Sequence, residues 1–118
     1  MANGALFIGW GTPVHGREQK SLQVFNEVMQ YYSRLQQQGE IESFVPVELE
    51  PHGGDLQGFV LIQGDRDKLA RVRASEEFQH FTNRATLIVE NFGVVSGYVG
   101  EELNKLFADF SSQSSELA

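Results

Sequence analysis

The spacing of apolar residues changes period several times along the chain, and the order of those changes limits the folds open to it. Ala5 to Gly11 reads ALFIGWG, a short run of β-formers stopped by Gly11, Thr12 and Pro13, so a strand followed by a loop is expected. From Arg17 to Gln38 the period becomes helical: Leu22, Phe25, Val28, Met29, Tyr32 and Leu35 recur at three- and four-residue steps, and Gly39 supplies the stop. Val24 and Tyr31 widen that face to about half the circumference, more than a helix lying on one sheet needs, which predicts a second contact. Ile41 to Leu49 alternates as a strand with one mainly apolar face, and Pro46 assigns it to a sheet edge. The turn formers Pro51 to Asp55 lead into Gly58 to Ile62, the second arm of a hairpin.

Asp65 can cap a helix whose buried side carries Leu69 and Val72. Continued in register, that helix would turn Phe78, Phe81, Ala85 and Ile88 to the opposite side, so the sequence predicts a break at Ser75, itself a good cap. Phe92 to Val99 is a last strand, Glu101 to Phe110 a helix with Leu103, Leu106, Phe107 and Phe110 in one stripe, and Ser111 to Ala118 a flexible tail. The order βαββαβ plus a terminal helix reads as a ferredoxin-like α+β sandwich with a four-stranded antiparallel sheet, one domain over residues 1–110.

Composition narrows the function classes. With 118 residues the chain can bury a real core, and with no cysteine it has no disulfide scaffold, thiolate metal site or cysteine nucleophile. A formal charge of −7, with scattered basic residues, argues against nucleic acid as a partner. No apolar run approaches the roughly 20 residues of a membrane span, so a cytoplasmic protein that does not engage the membrane is expected. The strands carry apolar residues on both sides: Leu6, Ile8 and Trp10 against Phe7, Val60 and Ile62 against Phe59 and Leu61, Val94 against Val95 and Val99. Helices cover one face only, so the other predicts a homodimer packed sheet to sheet.

By element order and patterning over residues 5 to 99, the chain resembles the dimeric α/β-barrel superfamily. Within it, Gly9 to Glu18 (GWGTPVHGRE), Glu50 to Phe59 (EPHGGDLQGF) and Leu87 to Gly100 (LIVENFGVVSGYVG) are similar to a small bacterial family without an assigned activity. The resemblance implies paired sheets and admits cofactor-free monooxygenases, haem-degrading oxygenases and lactone isomerases. Of the Asn, Trp and His that work in the haem-degrading group, only His80 matches by location, because the first strand lacks Asn and the third lacks Trp.

Individual motifs are thin. Gly11 to Glu18 misses the phosphate loop, with Arg17 and Glu18 where lysine and a hydroxyl are needed. His15, His52 and His80 have no metal-ligand spacing, and no serine sits in G-x-S-x-G, so no metal or cofactor is expected. The loop after the first strand does combine an indole, an imidazole and a guanidinium within a few residues. The predicted site is therefore a pocket with Trp10, Arg17, Tyr32 and Tyr98 binding a small apolar or carboxylated ligand, and with His15 or His80 as the groups able to move a proton. That describes a homodimeric binding protein, with a cofactor-free monooxygenase or isomerase and a purely structural assembly partner as alternatives.

Overall fold

A computed structural model describes residues Met1–Ala118. The elements are β1 (Gly4–Trp10), α1 (Glu18–Gln37), β2 (Ser43–Glu48), β3 (Gly58–Gly64), α2 (Arg66–Ala74), α3 (Glu76–Thr86), β4 (Gly93–Tyr98) and α4 (Gly100–Leu117). The strands form one antiparallel sheet in the order β2-β3-β1-β4, the ferredoxin-like arrangement. Pro46 lies in β2, an edge strand, where its missing N–H costs no central ladder bond.

Local chemistry sets the element ends. At the end of α1 Gly39 takes φ +76, the Gly39 N–H donates to Gln36 O, and the Glu40 N–H donates to Leu35 O, closing the helix as a Schellman motif. Asp65 accepts from the Lys68 N–H to open α2. Ser75 then adopts extended backbone and uses its hydroxyl twice, donating to Val72 O at the close of α2 and accepting from the Phe78 N–H at the start of α3. That break lets both apolar stripes reach the same sheet: Leu69, Val72 and Phe78 share one core with Leu6, Ile8, Val60 and Ile62.

The wide apolar face of α1 is divided between two neighbours. Tyr32 and Leu35 meet the sheet core, while Tyr31 stacks on Phe81 of α3 with ring centroids 4.9 Å apart. The opposite sheet face carries no helix. Phe7 and Phe59 stack there at 5.0 Å, and Val45 and Val95 remain 49% and 60% exposed. Register also turns the apolar set of β2 outward: Val45 pairs with Leu61 and Val47 with Phe59, leaving Phe44, Pro46 and Glu48 on the helix side.

The serine-rich end is helical, since α4 runs through it to Leu117. No residue of α4 is buried; Phe107 and Phe110 stay exposed on a stripe that no part of the chain covers. Gly100, at φ +62, starts this helix with its Cα close against the Ala2 carbonyl, where a side chain would collide at 2.6 Å. No helix is long and apolar enough to cross a membrane.

Candidate functional site

The helix side of the sheet is filled unevenly. At the end where β1 starts, Arg66 stacks over Tyr98 at 4.2 Å, and along the middle of β4 Arg73 donates to the Ser96 hydroxyl and to Val94 O. At the end where β1 finishes, the amino-terminal half of α1, α3 and the 88–92 segment stand off the strands around a half-open cavity of about 370 Å³. That volume is within the usual range for small-molecule sites, and the walls are mostly apolar.

Trp10 and Tyr32 both contribute to the wall, with Ile8 and Val60 from the sheet and Phe78 from α3. Trp10 holds its position because its cross-strand partner is Gly58, over which the indole lies; a Cβ at residue 58 would be 2.7 Å from Trp10 Cζ2. Phe25 closes on the indole edge at 6.0 Å. Met29 fills part of the α1 wall, and Thr82 of α3 is half-buried in the same lining.

The loop leaving β1 does not hang free. The Gly11 N–H donates to Glu90 O, the Glu90 N–H to Thr12 O and the Val14 N–H to Ile88 O, with a bridge between Pro13 and Val89. This short ladder frames one side of the mouth. It also determines where the loop's polar residues go: His15 is exposed beyond it, and the Arg17 Nη1 donates to Leu87 O at 2.7 Å, tying the start of α1 to the end of α3.

Among the six residues singled out from sequence, the structure thus brings together Trp10 and Tyr32. His15 and Arg17 lie outside the cavity wall. Tyr98 is at the other end of the sheet because β4 is antiparallel to β1 and pairs Tyr98 with Gly4, six residues and about 20 Å from Trp10. His80 is on the outer side of α3 in a shallow depression with Glu27, Arg34 and Arg84, its ring edge against Phe81. Both guanidinium groups there are paired, Arg84 with Glu27 and Arg34 with Glu77.

Two titratable side chains line the cavity, Glu48 and Tyr32, and neither arginine, lysine nor histidine does. Burial drives the Tyr32 phenol far above its ordinary value, with Tyr31 adding to the rise. Tyr31 is also raised, chiefly by burial, and Ser75 pulls it partly back. Sequence reasoning missed Glu48 and Thr82. The hairpin carried a signal for Glu48, because pairing it with Gly58 also sets it beside Trp10 on the helix side.

No protein-family model and no characterised protein sequence matches the chain. Solved structures do. A dimeric ferredoxin-like protein of unknown function from Thermobifida fusca superposes with TM-score 0.63 at 11% identity, covering 82% of this chain and 92% of that one. Another, from Bacteroides fragilis, gives TM-score 0.59 at 12% identity over 81% and 96% of the two chains. SnoaB, a cofactor-independent oxygenase from Streptomyces nogalater, gives 0.53 at 18% over 84% and 95%. At these identities the likeness is one of fold, and the chain is a ferredoxin-like α+β protein similar to dimeric proteins of that architecture.

Proposed function

We propose that the protein binds a small, largely apolar molecule in the cavity between sheet and helices, one site in each subunit of a homodimer, and works in the cytoplasm. The observation that carries the binding reading is the cavity itself: about 370 Å³ lined by apolar side chains and by the only tryptophan of the chain. Pairing of the outer sheet faces is supported by the bare apolar surface around Phe7, Phe59, Val45 and Val95, and by dimeric proteins among those of similar fold. The α4 stripe is a second surface assigned to the partner, since Gly100 starts the helix away from its own sheet.

Titration of the intact protein with a compact apolar compound such as tetralin tests this. Trp10 emission should change saturably with one equivalent per chain, and an unchanged emission together with no heat of binding would refute it. Sedimentation should give twice 13.2 kDa.

A cofactor-independent oxygenase is the second reading, favoured by the likeness to SnoaB. His15 and His80 are outside the cavity, so in this reading Glu48 is the wall group available to take a proton. Oxygen uptake in the presence of an electron-rich dihydroxynaphthalene, abolished by Glu48→Gln, would support it; no uptake above the buffer rate would refute it.

A further inference from the structure

We infer that the cavity is built for a neutral ligand bearing a hydrogen-bond-accepting oxygen, a ketone or ether on an apolar frame, to which the Tyr32 hydroxyl donates. This rests on the binding reading above and narrows it to a chemical class.

The central observation is a buried tyrosine in the cavity wall whose hydroxyl is left to the cavity. Tyr32 is only 4% exposed, and it lines the cavity. No hydrogen bond contributes to the environment of its phenol, which consists of burial and the neighbouring Tyr31. Yet no fully enclosed side-chain oxygen or nitrogen in the protein lacks a hydrogen bond, so the Tyr32 oxygen keeps some accessible surface. Helical side chains lean toward the amino terminus of their helix, and from Tyr32 that direction leads along Met29, Val28 and Phe25, which line the same cavity. A hydroxyl in an apolar enclosure is costly to leave unpaired, and a ligand acceptor relieves that cost.

Charge selects the rest of the class. An anionic ligand needs a cation or free backbone donors, and the lining has no basic residue; the nearby Arg17 is turned to Leu87 O. At the start of α1 the Glu18 carboxylate already accepts from the Gly16 N–H. Glu48 sets a negative charge at the rim, which repels a carboxylate and leaves a neutral molecule indifferent. The phenol stays protonated throughout the ordinary pH range, so it serves as a donor there. Ser21 and Gln57 in the lining donate to Glu18 O and Gly54 O. The Thr82 hydroxyl and the Trp10 indole N–H also border the cavity, from α3 and from β1, so the Tyr32→Phe variant assigns the donor, and a ketone advantage that persists in it would overturn the role given to Tyr32.

The test compares three compounds of one frame, tetralin, α-tetralone and tetrahydronaphthoate, by calorimetry and Trp10 emission on the full-length protein at neutral pH. α-Tetralone should bind about fivefold more tightly than tetralin, the effect of one net hydrogen bond. Tetrahydronaphthoate should be the weakest by on the order of tenfold. In Tyr32→Phe the ratio of ketone to tetralin affinity should fall to about one, with tetralin binding still measurable. Tetralin binding as tightly as the ketone, or a carboxylate binding best, would overturn the inference and leave the binding reading standing. Loss of all affinity equally in Tyr32→Phe would overturn it by showing a packing role. Failure of all three compounds to bind the wild-type protein would overturn both. The wild-type series alone decides the class if the variant does not fold.

Discussion

The two faces of the sheet are made from the same kinds of residue and meet different fates. On the helix side Ile62 and Val60 are at most 1% exposed, whereas on the other side Val45 and Val95 are about half exposed. Neighbouring residues in one strand therefore serve different contacts: Ile62 serves the fold, and Leu61 beside it serves whatever lies on the outer face. Burial in a single chain, more than hydrophobicity, separates the residues a monomer needs from those an assembly needs.

The sharpest way to break this comparison is to add the same kind of charge to each face. Ile62→Asp should unfold the protein, since an unpaired buried carboxylate costs several kcal/mol, and circular dichroism should show the loss. Val95→Glu, on the bare face, should keep the helical signal and halve the sedimenting mass. A Val95→Glu protein that still sediments as a dimer would transfer the interface to α4. Gly58→Ala tests the join between the covered face and the cavity. The added methyl meets Trp10 and Val47 O, so stability should fall by about 1–3 kcal/mol, with a shift in Trp10 emission.

Alkaline pH separates the faces more gently, because the buried phenols belong to the covered one. Tyr31 and Tyr32 have raised values in the folded protein, so above the ordinary tyrosine value of 10.0 the unfolded chain releases protons that the folded chain retains. Stability is then full below pH 10 and declines as pH rises beyond it, and Tyr32→Phe should shallow that decline in denaturant titrations. The smallest effect is at Ser75, whose replacement by alanine removes a helix cap on the covered side. It should cost about 1 kcal/mol and leave the sedimenting mass unaltered.

Much of the fold was legible because local chemistry and periodicity agreed. The phase conflict between Leu69 and Phe78 could be resolved only by a break, and Ser75 was the residue able to cap it; Pro46 could lie only on an edge. What periodicity does not carry is registration between distant segments. Nothing in the loop Gly11 to Arg17 says that it will zip against Ile88 to Glu90, and that pairing carries His15 into solvent. Tyr98 shows the same gap: it faces the helices like Trp10, but antiparallel pairing delivers it to the opposite end. In β2 the apolar alternation was plain, while the direction it would face depended on its pairing with β3. The end of α4 was misleading because a serine-rich composition resembles a tail, although each residue can extend an existing helix.

The standing-off of α4 has a consequence for scattering. The chain has a radius of gyration of 16.4 Å and a longest dimension of 54 Å, against about 13.5 Å expected for a compact domain of this length. A dimer that tucks both helices onto its body would be a compact particle of twice the length, for which the same scaling gives about 17–18 Å. Association would then double the forward intensity while the radius scarcely grew. Two molecules would together occupy little more reach than one does alone, and shape, read without mass, would hide the partnership.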